Sequence, residues 1–208
     1  MAAPQDEREA RKAYMRQRQK TVFTVCAAGM VVALFVSLLF YYHVGGLGKV
    51  KTPAVEPNFG VVTACATKGE DGAAAKYVDP RTVHVQVLNG TTHLGFAGAV
   101  SAALENRQFA PLKAGNYPSK RVERTTVYYG KNAVNEAYTV ASNFTDAVMV
   151  MDDREDKLVN VVLGATFTDL KDPEQSGVAG QEIKDFANCQ AVDKLTDVPK
   201  TFDHEQVN

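Results

Sequence analysis

Residues 83–104 read VHVQVLNGTTHLGFAGAVSAAL, and this stretch decides the fold. Val83, Val85 and Val87 alternate with His84 and Gln86, the period of two expected of a strand with one buried face. Asn89-Gly90 stops the strand. Thr91 or Thr92 is then expected to cap a helix, because a hydroxyl accepts one of the free N–H groups of a first turn. Phe96, Val100, Ala103 and Leu104 follow at a spacing that puts them on one helical face.

The same alternation of elements continues downstream. Phe109–Leu112 reads as a Pro-interrupted edge strand. The segment 113–124 reads as a cationic loop, and Thr125–Tyr129 as a strand ended by Gly130. Ala133–Asn143 reads as a helix with Val134, Ala137, Tyr138 and Ala141 on one side. Ala147–Met151 is apolar throughout, which predicts a central strand buried on both faces. Asp152-Asp153-Arg154-Glu155-Asp156 predicts a solvated hairpin turn into a last strand, Leu158–Leu163. The sum is an α/β domain over residues 81–167. It has a mixed sheet of four to five strands with two main helices packed on it, in two layers. A ferredoxin-like arrangement of the first six elements is one option. Residues 168–208 form a polar extension with a helical candidate at Gly180–Cys189.

Upstream, Val22–Tyr42 (VFTVCAAGMVVALFVSLLFYY) carries no charge and, as a helix, spans about 31 Å, the thickness of a bilayer's hydrocarbon core. Six Lys/Arg (Arg8, Arg11, Lys12, Arg16, Arg18, Lys20) precede it against three acids. By the positive-inside rule, residues 1–21 are a cytoplasmic arm, 22–42 a single transmembrane anchor, and the rest lies beyond the membrane. A cleaved signal sequence has a shorter apolar run and a small-residue cleavage site, which Tyr42-His43-Val44 does not offer. Residues 43–80 are expected to be a stalk and loop.

Past residue 42 the charge is −4, so nucleic-acid binding has little electrostatic support. Cys26 lies in the anchor. Cys65 and Cys189 flank the domain on the side where disulfides persist, and are expected to pair; the other reading leaves two free thiols. No CxxC, HExxH or paired Cys/His spacing suggests a metal, and the acids of 152–156 lack the spacing of a calcium loop. There is no G-x-S-x-G, and His84 and His93 stand alone, so no catalytic set and no cofactor are expected.

Two places could take a ligand. The Asn89, Gly90, Thr91, Thr92, Gly95 turn leads into a helix N-terminus, where unpaired N–H groups favour an anion. Lys113, Tyr117, Lys120, Arg121 and Arg124, with Lys131 near them, form a second candidate, a basic patch around an aromatic ring.

Val85-Gln86-Val87-Leu88-Asn89-Gly90-Thr91, then Gly95-Phe96-Ala97, then Val127-Tyr128-Tyr129-Gly130, then Val161-Val162-Leu163-Gly164 resemble the LytR-type C-terminal domain family. The layout, one anchor and two flanking exported cysteines, is similar to the single-domain envelope integrity members of that family in actinobacteria. The resemblance implies a non-catalytic role in envelope assembly. There is no room for the phosphotransferase domain of the family's ligases, so ligase activity is not implied. The expectation is a single-pass plasma-membrane protein that binds or scaffolds cell-wall polymer, a lipid-linked glycan precursor or an envelope assembly protein. The alternative is a carrier holding a lipidic ligand in an apolar cavity. A cell-wall hydrolase or transferase has the least support. Asn89-Gly90-Thr91 and Asn143-Phe144-Thr145 match glycan acceptors, but the bacterial resemblance argues against their use.

Overall fold

The computed structural model describes residues 4–42, 56–69 and 71–207. The chain divides into two units, residues 1–54 and 55–208. The described residues of the first form one helix, α1 (Pro4–Tyr41), which runs unbroken through both the basic arm and the apolar stretch. Within it Arg11–Tyr41 is long and apolar enough to cross a membrane. Thr21 and Thr24 donate their hydroxyls to the carbonyls of Gln17 and Lys20, so these polar groups are satisfied inside the helix. Of the expected stalk, residues 43–55 lie outside the described residues.

The second unit contains, in order, β1 (His84–Asn89), α2 (Phe96–Asn106), β2 (Ala110–Pro111), β3 (Gly115–Asn116), β4 (Thr126–Tyr129), α3 (Val134–Ala141), β5 (Val148–Met151) and β6 (Val159–Leu163). One sheet joins the six strands in the order β2-β1-β6-β4-β5, with β3 also on β1. β1 is parallel to β2, β3 and β6; β4 is parallel to β5 and antiparallel to β6. Two β-α-β units, β1-α2-β2 and β4-α3-β5, therefore flank one shared strand. Parallel neighbours of this kind do not occur in a ferredoxin-like sheet, so that option is not the one adopted.

Alternation explains the packing. Val85, Val87, Val127, Tyr129, Met149, Val159, Val161 and Leu163 all point to one face and join a single buried cluster with residues of both helices. From α2 that cluster takes Ala97, Val100 and Leu104, with Ser101 also buried, so the helix is rotated slightly from the Phe96/Ala103 face. Phe96 instead sits edge-on against Phe167.

The central strand is β6, not Ala147–Met151. All five residues of β6 are buried, including the polar Asn160. The apolar β5 lies at the edge of the sheet and is buried by other means. Asn58 donates to the Met149 carbonyl (2.9 Å) and accepts from the Met149 N–H (2.7 Å), so one side-chain amide stands in for a neighbouring strand.

Residues 152–158 make no hairpin, since β4 lies between β5 and β6. Nor is the acidic turn fully solvated. Asp152 and Arg154 are 2% and 3% exposed and form a bidentate ion pair, with bonds of 2.8 and 2.6 Å. Arg154 also donates to the Leu158 carbonyl and to Asn160, which in turn donates to Gln86 on β1. A methyl at Gly130 would overlap the Arg154 backbone, which is why glycine ends β4 at this crossing.

The extension, irregular in structure, packs back onto the sheet and helices. Pro199 and Val207 accept backbone bonds from Asp153 and Lys157. Phe202 packs edge-on against Tyr117 and Tyr128 on the sheet face opposite the helices. Residues 180–189 form turns and a bridge, not a helix. They bring Cys189 to Cys65, where a disulfide joins the two with their Cα atoms 4.9 Å apart. Cys65 donates to the Gln190 carbonyl and Gln190 to that of Thr63, a short parallel bridge beside the bond.

Candidate functional site

The turn after β1 is built by Asn89. Its side chain, 5% exposed, accepts from the Thr91 N–H (2.9 Å) and hydroxyl (2.8 Å) and donates to the His93 carbonyl (2.6 Å). Thr91 is buried in this knot, and neither Thr91 nor Thr92 caps the helix. The N-cap is Gly95, in the left-handed region at φ +76°, with no side-chain cap on the first turn. A cleft of about 230 Å³ opens there, between Gly95, Ala97 and Gly98 on one side and Ala114 and Asn116 on the other.

Gly90 meets a packing demand of the protein's own chain. A methyl there would lie 2.6 Å from a Val122 methyl and 2.7 Å from the Leu163 carbonyl, so the close approach is to the protein's own chain. Gly90 donates to Leu163 and accepts from Val122, tying loop 113–122 to the sheet. Gly90→Ala is expected to cost about 1–3 kcal/mol through overpacking, read as a lower urea midpoint with unchanged slope.

The structure brings only part of the basic patch together. Lys120 places its ammonium on the Asn89 carbonyl (3.4 Å) and the Asn116 side chain (3.0 Å), at the turn itself. Arg121, next to it in sequence, and Lys113, seven residues before it, are both exposed. Arg124 instead lies over the Phe59 ring at 4.1 Å, and Lys131 pairs with Glu155. Tyr117 is packed against Phe202, and its backbone N–H bonds Asn89.

Three further features were not legible from spacing. A cleft of about 530 Å³ lies between α3, the β5 edge and residues 171–186, with Phe59, Tyr77, Phe186, Glu182 and Lys184 on its walls. Its outer wall is aperiodic extension, which leaves no local sequence signal. His204 donates or accepts at both ring nitrogens, with Asp156 at 2.7 Å and the Phe202 carbonyl at 2.8 Å; the Thr201 hydroxyl is farther, at 3.3 Å. An acid, a His and a hydroxyl thus align. However, the nearer carbonyl occupies the nitrogen that would activate Thr201, so the group latches the extension. Finally, Asp185 lies beside the Cys65–Cys189 sulfurs, but these are spent on each other, and Asp185 accepts from the Ala66 N–H.

The perturbed tyrosines are structural. Burial pushes Tyr128 up to about 12, and raises Tyr129 and Tyr138 as well. The Tyr129 hydroxyl bonds Thr63, and that of Tyr138 donates to the Ala64 carbonyl. Asn89 and Asn143, the two glycan-acceptor matches, are buried with their amides engaged. Among the described residues, the apolar faces of sheet and helices meet in one continuous core, which argues against the enclosed cavity of a lipid carrier.

A family model described as LytR cell envelope-related transcriptional attenuator matches residues 82–167. A solved structure, the soluble domain of a conserved hypothetical secreted protein (Rv2700 ortholog) from Mycobacterium marinum, is similar at 22% identity and a TM-score of 0.47. The match covers 58% of this chain and 89% of that one. No curated protein matches the chain.

Proposed function

We propose that the protein is a non-catalytic component of the bacterial cell envelope, a reading supported by the match of residues 82–167 to the LytR-type family model. α1 tethers it to the plasma membrane, with the basic arm in the cytoplasm and the domain outside. The domain holds an anionic envelope component, either wall polymer or a lipid-linked glycan precursor, or an assembly protein that carries one. Tethering raises the effective concentration of that partner at the outer leaflet. The observation that carries the reading is the Cys65–Cys189 bond in a chain whose helix α1 includes the uncharged apolar stretch Val22–Tyr41, since such bonds persist in exported domains. The turn at Asn89–Gly95 and the cations Lys113, Lys120 and Arg121 are the proposed contact surface.

The test is complementation. With residues 1–42 replaced by a cleavable secretion leader, the domain is expected to be secreted, folded and oxidised, yet to fail to restore envelope integrity in a deletion strain. Full restoration by the untethered form contradicts tethering.

A further inference from the structure

Leu94, at the tip of the β1–α2 turn, is 100% exposed, whereas the other exposed large apolar side chains described from residue 56 on, Val61, Val62 and Val178, are 37–50% exposed. The outward positions of α2 beside it, Gly98, Ala99 and Ala102, are exposed and carry no polar atom in their side chains. Lys120 sits on the carbonyl of Asn89, where the turn begins, and Val122 bonds Gly90, so residues 120–122 run alongside that turn. Ala114, next to Lys113, shares the small cleft with Gly95 and Gly98. The turn that carries the uncovered Leu94 thus has the exposed Lys120 and Arg121 alongside its start, and the exposed Lys113 next to a residue of the cleft.

We propose that this surface docks on an anionic phospholipid bilayer, with Leu94 entering the acyl boundary and Lys113, Lys120 and Arg121 contacting the phosphate layer. Charge complementarity selects this occupant. A leucine gains by leaving water for hydrocarbon, and its neighbours are the cations that anionic headgroups attract. A peptide groove would instead need a longer apolar channel, whereas the small cleft holds about 230 Å³ and is lined by Asn89, Asn116 and otherwise only glycine and alanine. The inference rests on the tethering reading above and goes beyond it, since it gives the same cations a second anionic ligand, the phospholipid of the bilayer in which such a lipid-linked precursor sits.

The full chain is assembled in nanodiscs of phosphatidylcholine alone or with phosphatidylglycerol. An environment-sensitive fluorophore is placed at Leu94→Cys or, as a control, at Val178→Cys, in a Cys26→Ala background. With phosphatidylglycerol, quenchers attached to the lipid chains are expected to quench the probe at 94 and not at 178. Lys120→Gln with Arg121→Gln should reduce the docked-to-free ratio about fivefold for each cation neutralised. Equal, weak quenching at both positions overturns the proposal, as does quenching at 94 that ignores lipid charge and the double substitution. If the chain elutes apart from the nanodiscs, the tethering reading fails and this inference falls with it. Unchanged melting of each variant shows that folding is intact.

Discussion

Arg154→Met is expected to lower stability by about 3–5 kcal/mol, the largest effect of any single change proposed for this protein. The guanidinium holds Asp152 bidentately where both side chains are almost wholly out of water. Removing it leaves a buried carboxylate without its counter-charge, and also strips donors from the Leu158 carbonyl and Asn160. The loss reaches beyond one turn, since Asn160 lies within the central strand and hands the chain of bonds on to Gln86. Urea unfolding checks it. Adding Asp152→Asn to the same chain should recover part of the loss, because a neutral amide tolerates burial better than an unpaired carboxylate. A single variant within about 1 kcal/mol of wild type would show that the pair is not buried as described.

Cys65→Ser or Cys189→Ser is expected to cost about 2–5 kcal/mol. The bond closes a separation of 124 residues, so much of its effect falls on the unfolded chain. In the folded chain it fastens the extension to the segment before β1. The Cys65–Gln190 and Gln190–Thr63 bonds and the Asp185–Ala66 contact remain in the variant and hold part of that clamp. Reduction of the wild type should therefore reproduce the variant's melting temperature. Hydrogen exchange should accelerate first in residues 180–192 and only later in β6. An unchanged melting temperature after complete reduction would contradict this account.

Much of the first β-α unit was legible because its signal is local. Val83, Val85 and Val87 announce a half-buried strand, and Val100 and Leu104 a helix packed on it. What escaped depends on partners far away in sequence. Ala147–Met151 looks central by composition, yet it is an edge made acceptable by Asn58, 91 residues upstream of Met149. Val159–Leu163 is central although Asn160 interrupts its apolar run, because Arg154 and Gln86 satisfy that amide. The charges of 152–156 suggested solvent, and only the crossing over Gly130 reveals why two of them are buried. At the candidate site, Asn89-Gly90 marks the end of the strand as its sequence suggests, but the cap expected of Thr91 or Thr92 gives way to Gly95, because Thr91 is tied to the Asn89 side chain. The demand for glycine at 90 proved to come from Val122 and Leu163, which no local pattern shows. Leu94 escaped because nothing in a sequence distinguishes a leucine that finds a core from one that does not.

The account stands or falls on the side of the membrane where the domain lies. Single cysteines at Arg11 and at Val178, in a Cys26→Ala background, can be probed in intact cells with a membrane-impermeant maleimide. Labelling at 178 in intact cells, with labelling at 11 only after permeabilisation, is the predicted result. The reverse pattern would put the domain in the cytoplasm and contradict the envelope role.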